Sequence, residues 1–396
     1  MLRILNVLSN AAVGIILARQ LNLVDRGHVA VITSIIGVAV VLISSPRGEE
    51  ILRSRRDFGD SNKPKTISIN LAHYIFVLII SLGWIYTNSE DKLSPIGMIL
   101  ISALVIASSI NSLEQAILFL KFKSLGNQLI MTFHAIVLLA FLGILFLTLN
   151  PGIEAWLWAF LISEILLLTA LHKLNTNTRI VINWQIGFKK KKLVDVERRP
   201  KFEIASVYQG AFFLQFLTIL VSVTLPVESI ALFAIGMTLT SLMSLPIVPF
   251  LPQILSESDE VTKVFRRLSI RRILLTSFLV MIYTYLLVYL YQFLIPMLYG
   301  QKYSPLVSAV PMIVMSGLML GVLNVVSSIF RGSRNFKESV IVFSLAIIIF
   351  IFELVFFGDS IVEIRQLFIY LFFSIAIPVA VAGVLLFSTK EFRLQS

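Results

Sequence analysis

Apolar blocks of roughly 20 residues recur from one end of the chain to the other, and polar breaks marked by Gly or Pro separate them. An α-helix of that length crosses the hydrocarbon of a bilayer with every backbone N–H and C=O bonded inside the segment. Shorter strands of alternating polarity, the mark of a membrane β-barrel, are not seen. The blocks predict spans at about 4 to 18, 28 to 46, 67 to 86, 94 to 118, 127 to 149 and 153 to 172. A second set follows at about 203 to 225, 229 to 252, 272 to 295, 305 to 330, 338 to 357 and 366 to 388. With 57% hydrophobic and 14% charged residues the chain lies far from a soluble domain. The expectation is an all-α integral membrane protein with about twelve transmembrane helices. The first block is read as a retained span and not a signal peptide, because Asn6, Ser9 and Asn10 interrupt it.

A formal charge of +11 is high enough to suggest a nucleic-acid partner, so the location of the basic residues matters more than their number. With the N-terminus inside, 28 of the 33 Lys and Arg fall in internal segments and 5 in external ones. Cytoplasmic loops collect Lys and Arg, so this pattern predicts both termini in the cytoplasm and accounts for the charge without nucleic acid. A missed span in mid-chain would move every later loop to the other side.

The longest loop holds Lys189-Lys-Lys-Lys192 and Arg198-Arg199, which serve as a topology anchor near anionic lipid. It divides the chain into a six-helix lobe (1–173), a basic cytoplasmic linker (174–202) and a second six-helix lobe (203–396). Six is even, so both lobes enter the membrane in the same sense, as parallel repeats. A faint echo supports this: Phe122-Lys123 precedes the fifth span and Phe336-Lys337 the eleventh.

Three segments carry a family resemblance. Ile16-Leu-Ala-Arg-Gln-Leu-Asn-Leu-Val-Asp-Arg-Gly-His-Val-Ala30 is similar to the first-loop signature of the bacterial polysaccharide flippases, with Asn22 where Gly is usual. Leu225-Pro-Val-Glu-Ser-Ile-Ala-Leu-Phe-Ala234, with Pro246, Pro249 and Pro252 beyond it, and Ile295-Pro-Met-Leu-Tyr-Gly-Gln-Lys-Tyr-Ser-Pro305 agree in order and spacing. Together they resemble the oligosaccharide flippases of O-antigen and capsule repeat units. That family is a branch of the multidrug/oligosaccharidyl-lipid/polysaccharide exporter superfamily, whose fold is MATE-like. The resemblance implies two lobes around a cavity that opens alternately to either side. It also implies export of undecaprenyl-diphosphate-linked oligosaccharide across the bacterial cytoplasmic (inner) membrane. The implied partners are that lipid, the surrounding membrane lipids, a proton or sodium counter-ion, and polymerase or chain-length machinery. No cofactor is implied.

Such a cargo needs a wet, cationic path, because a diphosphate and its sugars cannot cross hydrocarbon unaided. Arginine suits the task, since its planar fork pairs bidentately with phosphate and stays charged. Arg19 and Arg26 stand on the external side against the positive-inside bias. The expectation is that Arg19 faces the cavity, that Asp25 and Arg26 form its external gate, and that Arg47 and Arg53 receive the diphosphate at the inner end. The alternative is that Arg19 and Arg26 reach headgroups, Asp25 caps the second helix and Arg47 and Arg53 are ordinary inside anchors.

Glu164 falls near mid-span and is the candidate for ion coupling, or else a carboxyl hydrogen-bonded between helices. Tyr208, Phe212 and Gln215 share one helical face and offer a strip for sugar contacts, or ordinary packing. Prolines at 246, 249 and 252 predict a bent eighth span.

Catalysis finds no foothold. There is no GxxxxGK[ST] phosphate loop, cysteine is absent, and the four histidines are too scattered for a metal site. A membrane polymerase or ligase usually carries a long external loop, whereas the external loops here are roughly ten residues or fewer. A cation-coupled multidrug exporter of the same superfamily is the runner-up. Peptidoglycan-precursor flippases usually have two further helices that this chain has no room for.

Overall fold

The computed structural model describes residues 2–57, 65–88, 94–148, 152–174, 178–183, 201–244, 270–333, 335–358, 361 and 363–388. The chain divides into two compact units, Met1–Arg198 and Arg199–Ser396. Eight stretches are long and apolar enough to cross a membrane. Four shorter apolar helices accompany them among the described residues, which matches the twelve spans read from the sequence.

The first unit contains α1 (Leu2–Gln20), α2 (Leu23–Asp57), α3 (Leu71–Asn88), α4 (Pro95–Thr148) and α5 (Ile153–Leu174). Two residues, Leu21 and Asn22, join α1 to α2, so the second span begins at residue 23 and not at 28. The reason is a cap. Asn22 Oδ1 accepts the backbone N–H of Asp25 at 2.7 Å, and the Asp25 carboxylate accepts the Asn22 side-chain amide at 2.8 Å. This reciprocal closure satisfies a donor that would otherwise be orphaned at the helix start.

α4 extends over 54 residues. Asn111 and His134, 23 positions apart and so about 34 Å apart on a straight helix, both meet Glu164 of α5. The helix therefore doubles back, and its limbs Pro95–Gln115 and Leu129–Thr148 are the fourth and fifth spans. Ser94 begins α4, accepting the Gly97 N–H at 3.1 Å and donating its hydroxyl to Glu154 at the head of α5. α4 is the hub of the unit and packs on α5, α2 and α1.

The third span starts at residue 71, because 65–70 form a strand. That strand, β1 (Lys65–Asn70), pairs in parallel with β2 (Thr178–Asn183) in the segment read as a plain basic linker. The ribbon holds the loop after α2 and the loop after α5 on one face of the unit. Lys189 to Lys192 lie outside the described residues.

The second unit contains α6 (Lys201–Thr224), α7 (Val227–Ser244), α8 (Ile270–Tyr299), α9 (Pro305–Gly332), α10 (Phe336–Phe357) and α11 (Ile364–Ser388). Pro246, Pro249 and Pro252 lie outside the described residues. α9 is the hub, with α11, α7, α8 and α10 around it. Its core is aromatic: Phe213, Phe233, Phe330, Phe350 and Phe368 are fully buried. Helices in lipid associate through close packing, and small residues permit it. A Cβ on Gly236 would lie 2.0 Å from the Phe368 ring, and one on Gly317 would lie 2.6 Å from the Thr240 carbonyl oxygen. At the other end of the hub, Gln209 donates to Ser327 at 2.9 Å and Ser339 at 2.6 Å, tying α6 to α9 and α10.

Between α8 and α9, Gly300 adopts φ +100°, a conformation that disfavours a side chain. A single 3-10 turn, Gln301–Tyr303, follows, with Tyr303 fully buried and Pro305 opening α9. Large apolar residues stand outward, as a lipid-facing surface requires. Phe76, Ile79 and Ile80 form such a stripe on α3, and Tyr285, Tyr289, Phe293 and Met297 form one on α8.

Candidate transport site

The α1–α2 turn separates Arg19 and Arg26 into different environments. Arg19, in the last turn of α1, is exposed, whereas Arg26, one turn into α2, is only 8% exposed. His28 beside it is also buried. Asp25 is half-buried, and its carboxylate is engaged with Asn22 in the cap. The backbone of Arg47 and Arg53 belongs to α2, and their side chains lie outside the described residues, as does that of Tyr208. Phe212 and Gln215 are half-buried on α6, and the Phe212 ring stacks on Phe216 at 5.0 Å.

Polar groups between α4 and α5 form three tiers through the first unit. The first tier, at the start of both helices, is Ser94 with Glu154. The middle tier is centred on Glu164, which is 6% exposed. Asn111 donates its amide to the Glu164 carboxylate and also to the Glu164 backbone carbonyl at 2.8 Å. His134 Nε2 lies 3.7 Å from the other carboxylate oxygen and 3.2 Å from Ser163 Oγ. Phe160 and Trp156 flank this tier, with the Phe160 ring 6.4 Å from the His134 ring. The third tier is Glu114, 1% exposed, with His172 Nδ1 at 3.9 Å. Glu164 stands out in the sequence as an intramembrane carboxyl, but its contact with His134 does not. Asn111 belongs to Ser108-Ser-Ile-Asn-Ser112, a polar run in an apolar helix that marks a face turned to protein and not to lipid.

In the second unit Glu353, within apolar helix α10, is half-buried with one carboxylate oxygen sealed from solvent. No group of three or more His, Cys, Asp or Glu suited to a metal ion occurs among the described residues.

These features define a multi-pass helical membrane protein with buried charge in its spans. No family model matches the chain, and no curated protein matches its sequence. Solved structures do match its fold. A multidrug-resistance MATE-family transporter of the MOP superfamily, in an inward-facing conformation, superposes with a TM-score of 0.63 at 15% identity, covering 96% of this chain and 93% of that one. A MATE structure in complex with MaL6 gives 0.55 at 14% identity over 98% and 93% of the two chains. MATE in the straight conformation gives 0.55 at 15% over 98% and 92%. The fold is therefore that of MATE transporters.

Proposed function

We propose that this protein is a transporter that flips undecaprenyl-diphosphate-linked oligosaccharide repeat units from the cytoplasmic to the outer leaflet of the bacterial inner membrane by alternating access. The cargo would serve O-antigen, capsule or exopolysaccharide synthesis. The observation that carries the reading is Arg26: a permanently charged, phosphate-matched guanidinium is costly to withdraw from water inside a membrane unit, and such charges mark substrate paths. The MATE fold and the three signature segments support it. In this proposal Arg19 and Arg26 attend the outer end of the path, Arg47 and Arg53 the diphosphate at the inner end, and Phe212 and Gln215, with Tyr208, the sugars. Asp25 acts by fixing the turn that presents Arg26, and Glu164 couples transport to an ion.

Driving force is available without chemistry. With the interior negative, exporting a diphosphate of about two charges gains roughly 4 to 5 kcal/mol at about 100 mV. A second reading, a multidrug exporter, draws support from the same fold and from buried carboxylates that would suit cationic drugs. Proteoliposomes separate the two. The flippase reading expects transfer of labelled undecaprenyl-diphosphate oligosaccharide and none of ethidium; the reverse result would establish drug export.

A further inference from the structure

The middle tier of the first unit determines which ion it can hold. Ser163 Oγ donates its one hydrogen to the Phe160 carbonyl at 2.7 Å, so toward His134 it can only accept. His134 Nε2 therefore carries a hydrogen in both charge states and directs it at Ser163 Oγ and the Glu164 carboxylate. The second carboxylate oxygen faces the Asn111 amide, again a donor. Donors thus approach both oxygens of the carboxylate, whereas a metal cation would need acceptors converging with it. Asn111 Oδ1, buried and without a partner, is a single oxygen and not a coordination shell.

Charge counting points the same way. With a neutral imidazole and an ionised carboxylate the pair carries one negative charge. One added proton, on His134 Nδ1 or on Glu164, brings it to zero. The neutral state is the one a membrane interior tolerates best. Among the described side chains no competing charge lies at this level. Of the described titratable groups of α4, His134 faces Glu164, with Glu114 and His172 in the next tier on one side and Glu154 in the next tier on the other; the side chains of Lys121 and Lys123 lie outside the described residues. On α2 the described side chains from Val29 to Ser44 include no ionisable group, and Arg26 and His28 belong to its outer turns.

We infer that Glu164, His134 and Asn111 form a mid-membrane site for one exchangeable proton that excludes sodium. Glu164 and His134 hold the proton, and Asn111 positions the carboxylate. The purpose of the site rests on the transporter reading, since the proton would be the coupling ion, but its chemistry does not.

Infrared difference spectroscopy of the purified full-length protein in lipid, titrated from neutral to acid, reads this without any cargo. Among the carboxyl bands of the wild type, one is expected to titrate by a single proton, identically in sodium and potassium chloride. Glu164→Gln should abolish this titration, Glu164→Asp should retain it with an altered midpoint, and His134→Gln should change its apparent proton affinity by about tenfold. A titration displaced by sodium, or one unchanged in folded Glu164→Gln and His134→Gln proteins, would overturn the inference. A wild type that titrates in this way but moves neither labelled lipid nor ethidium would defeat the transporter reading and leave the proton site standing.

Discussion

Asn22 shows how a departure from a family pattern is accommodated. The resemblance leads one to expect Gly at this position, and the structure makes it the N-cap of α2, a position where Gly and Asn both serve. Asn22→Gly should therefore leave thermal stability nearly unchanged, whereas Asn22→Ala should cost about 1 kcal/mol, read as a lowered unfolding midpoint in detergent micelles. The Lys and Arg bias leads one to expect Arg19 and Arg26 on the external side, but their difference in burial depends on a two-residue turn that the apolar pattern could not resolve. Apolar periodicity locates helices to within a turn and says nothing of where a cap begins the next one. Glu164 was legible as a costly intramembrane carboxyl. Its partners were not, because Asn111 and His134 reach it only after α4 folds back on itself.

Among the elements, the three segments that resemble the flippases fall at turns between helices. The first closes the α1–α2 turn; the second runs through Leu225 and Pro226, where the Pro226 carbonyl accepts from Ser229 and Ile230 at the start of α7. The third ends α8, turns at Gly300 and opens α9. Gly300→Ala should destabilise by about 1 to 3 kcal/mol through backbone strain alone, as nothing stands in the way of its Cβ. Gly317→Ala should cost a similar amount, about 1 to 3 kcal/mol, by a different route. Its Cβ meets the Thr240 carbonyl, a backbone atom that cannot swing aside, so α7 and α9 must separate. Equal melting of Gly317→Ala and wild type would show that the α7–α9 packing is looser than described. The strands β1 and β2 escaped the sequence reading because two short runs more than a hundred residues apart, Lys65–Asn70 and Thr178–Asn183, pair only across four intervening spans.

Across the molecule, hydropathy and the bias of Lys and Arg carried the span count, because every backbone polar group in lipid must be satisfied within a helix and every crossing reverses the side. The parallel β1–β2 ribbon agrees with that count on independent grounds, since it requires the loops after α2 and α5 to share a face. The absence of cysteine makes the topology directly measurable. A cysteine introduced at Lys302 should react with an impermeant thiol reagent added to intact cells, and one introduced at Lys190 should react only after permeabilisation; the opposite pattern would invert the membrane orientation. The central claim is that an arginine-lined path carries a lipid diphosphate. Its most direct test is transfer of labelled undecaprenyl-diphosphate oligosaccharide across proteoliposomes by wild type and by Arg19→Ala/Arg26→Ala at matched folding and reconstitution. Transfer by the wild type and its loss in the variant is the predicted result; equal transfer by both would contradict the role given to these arginines.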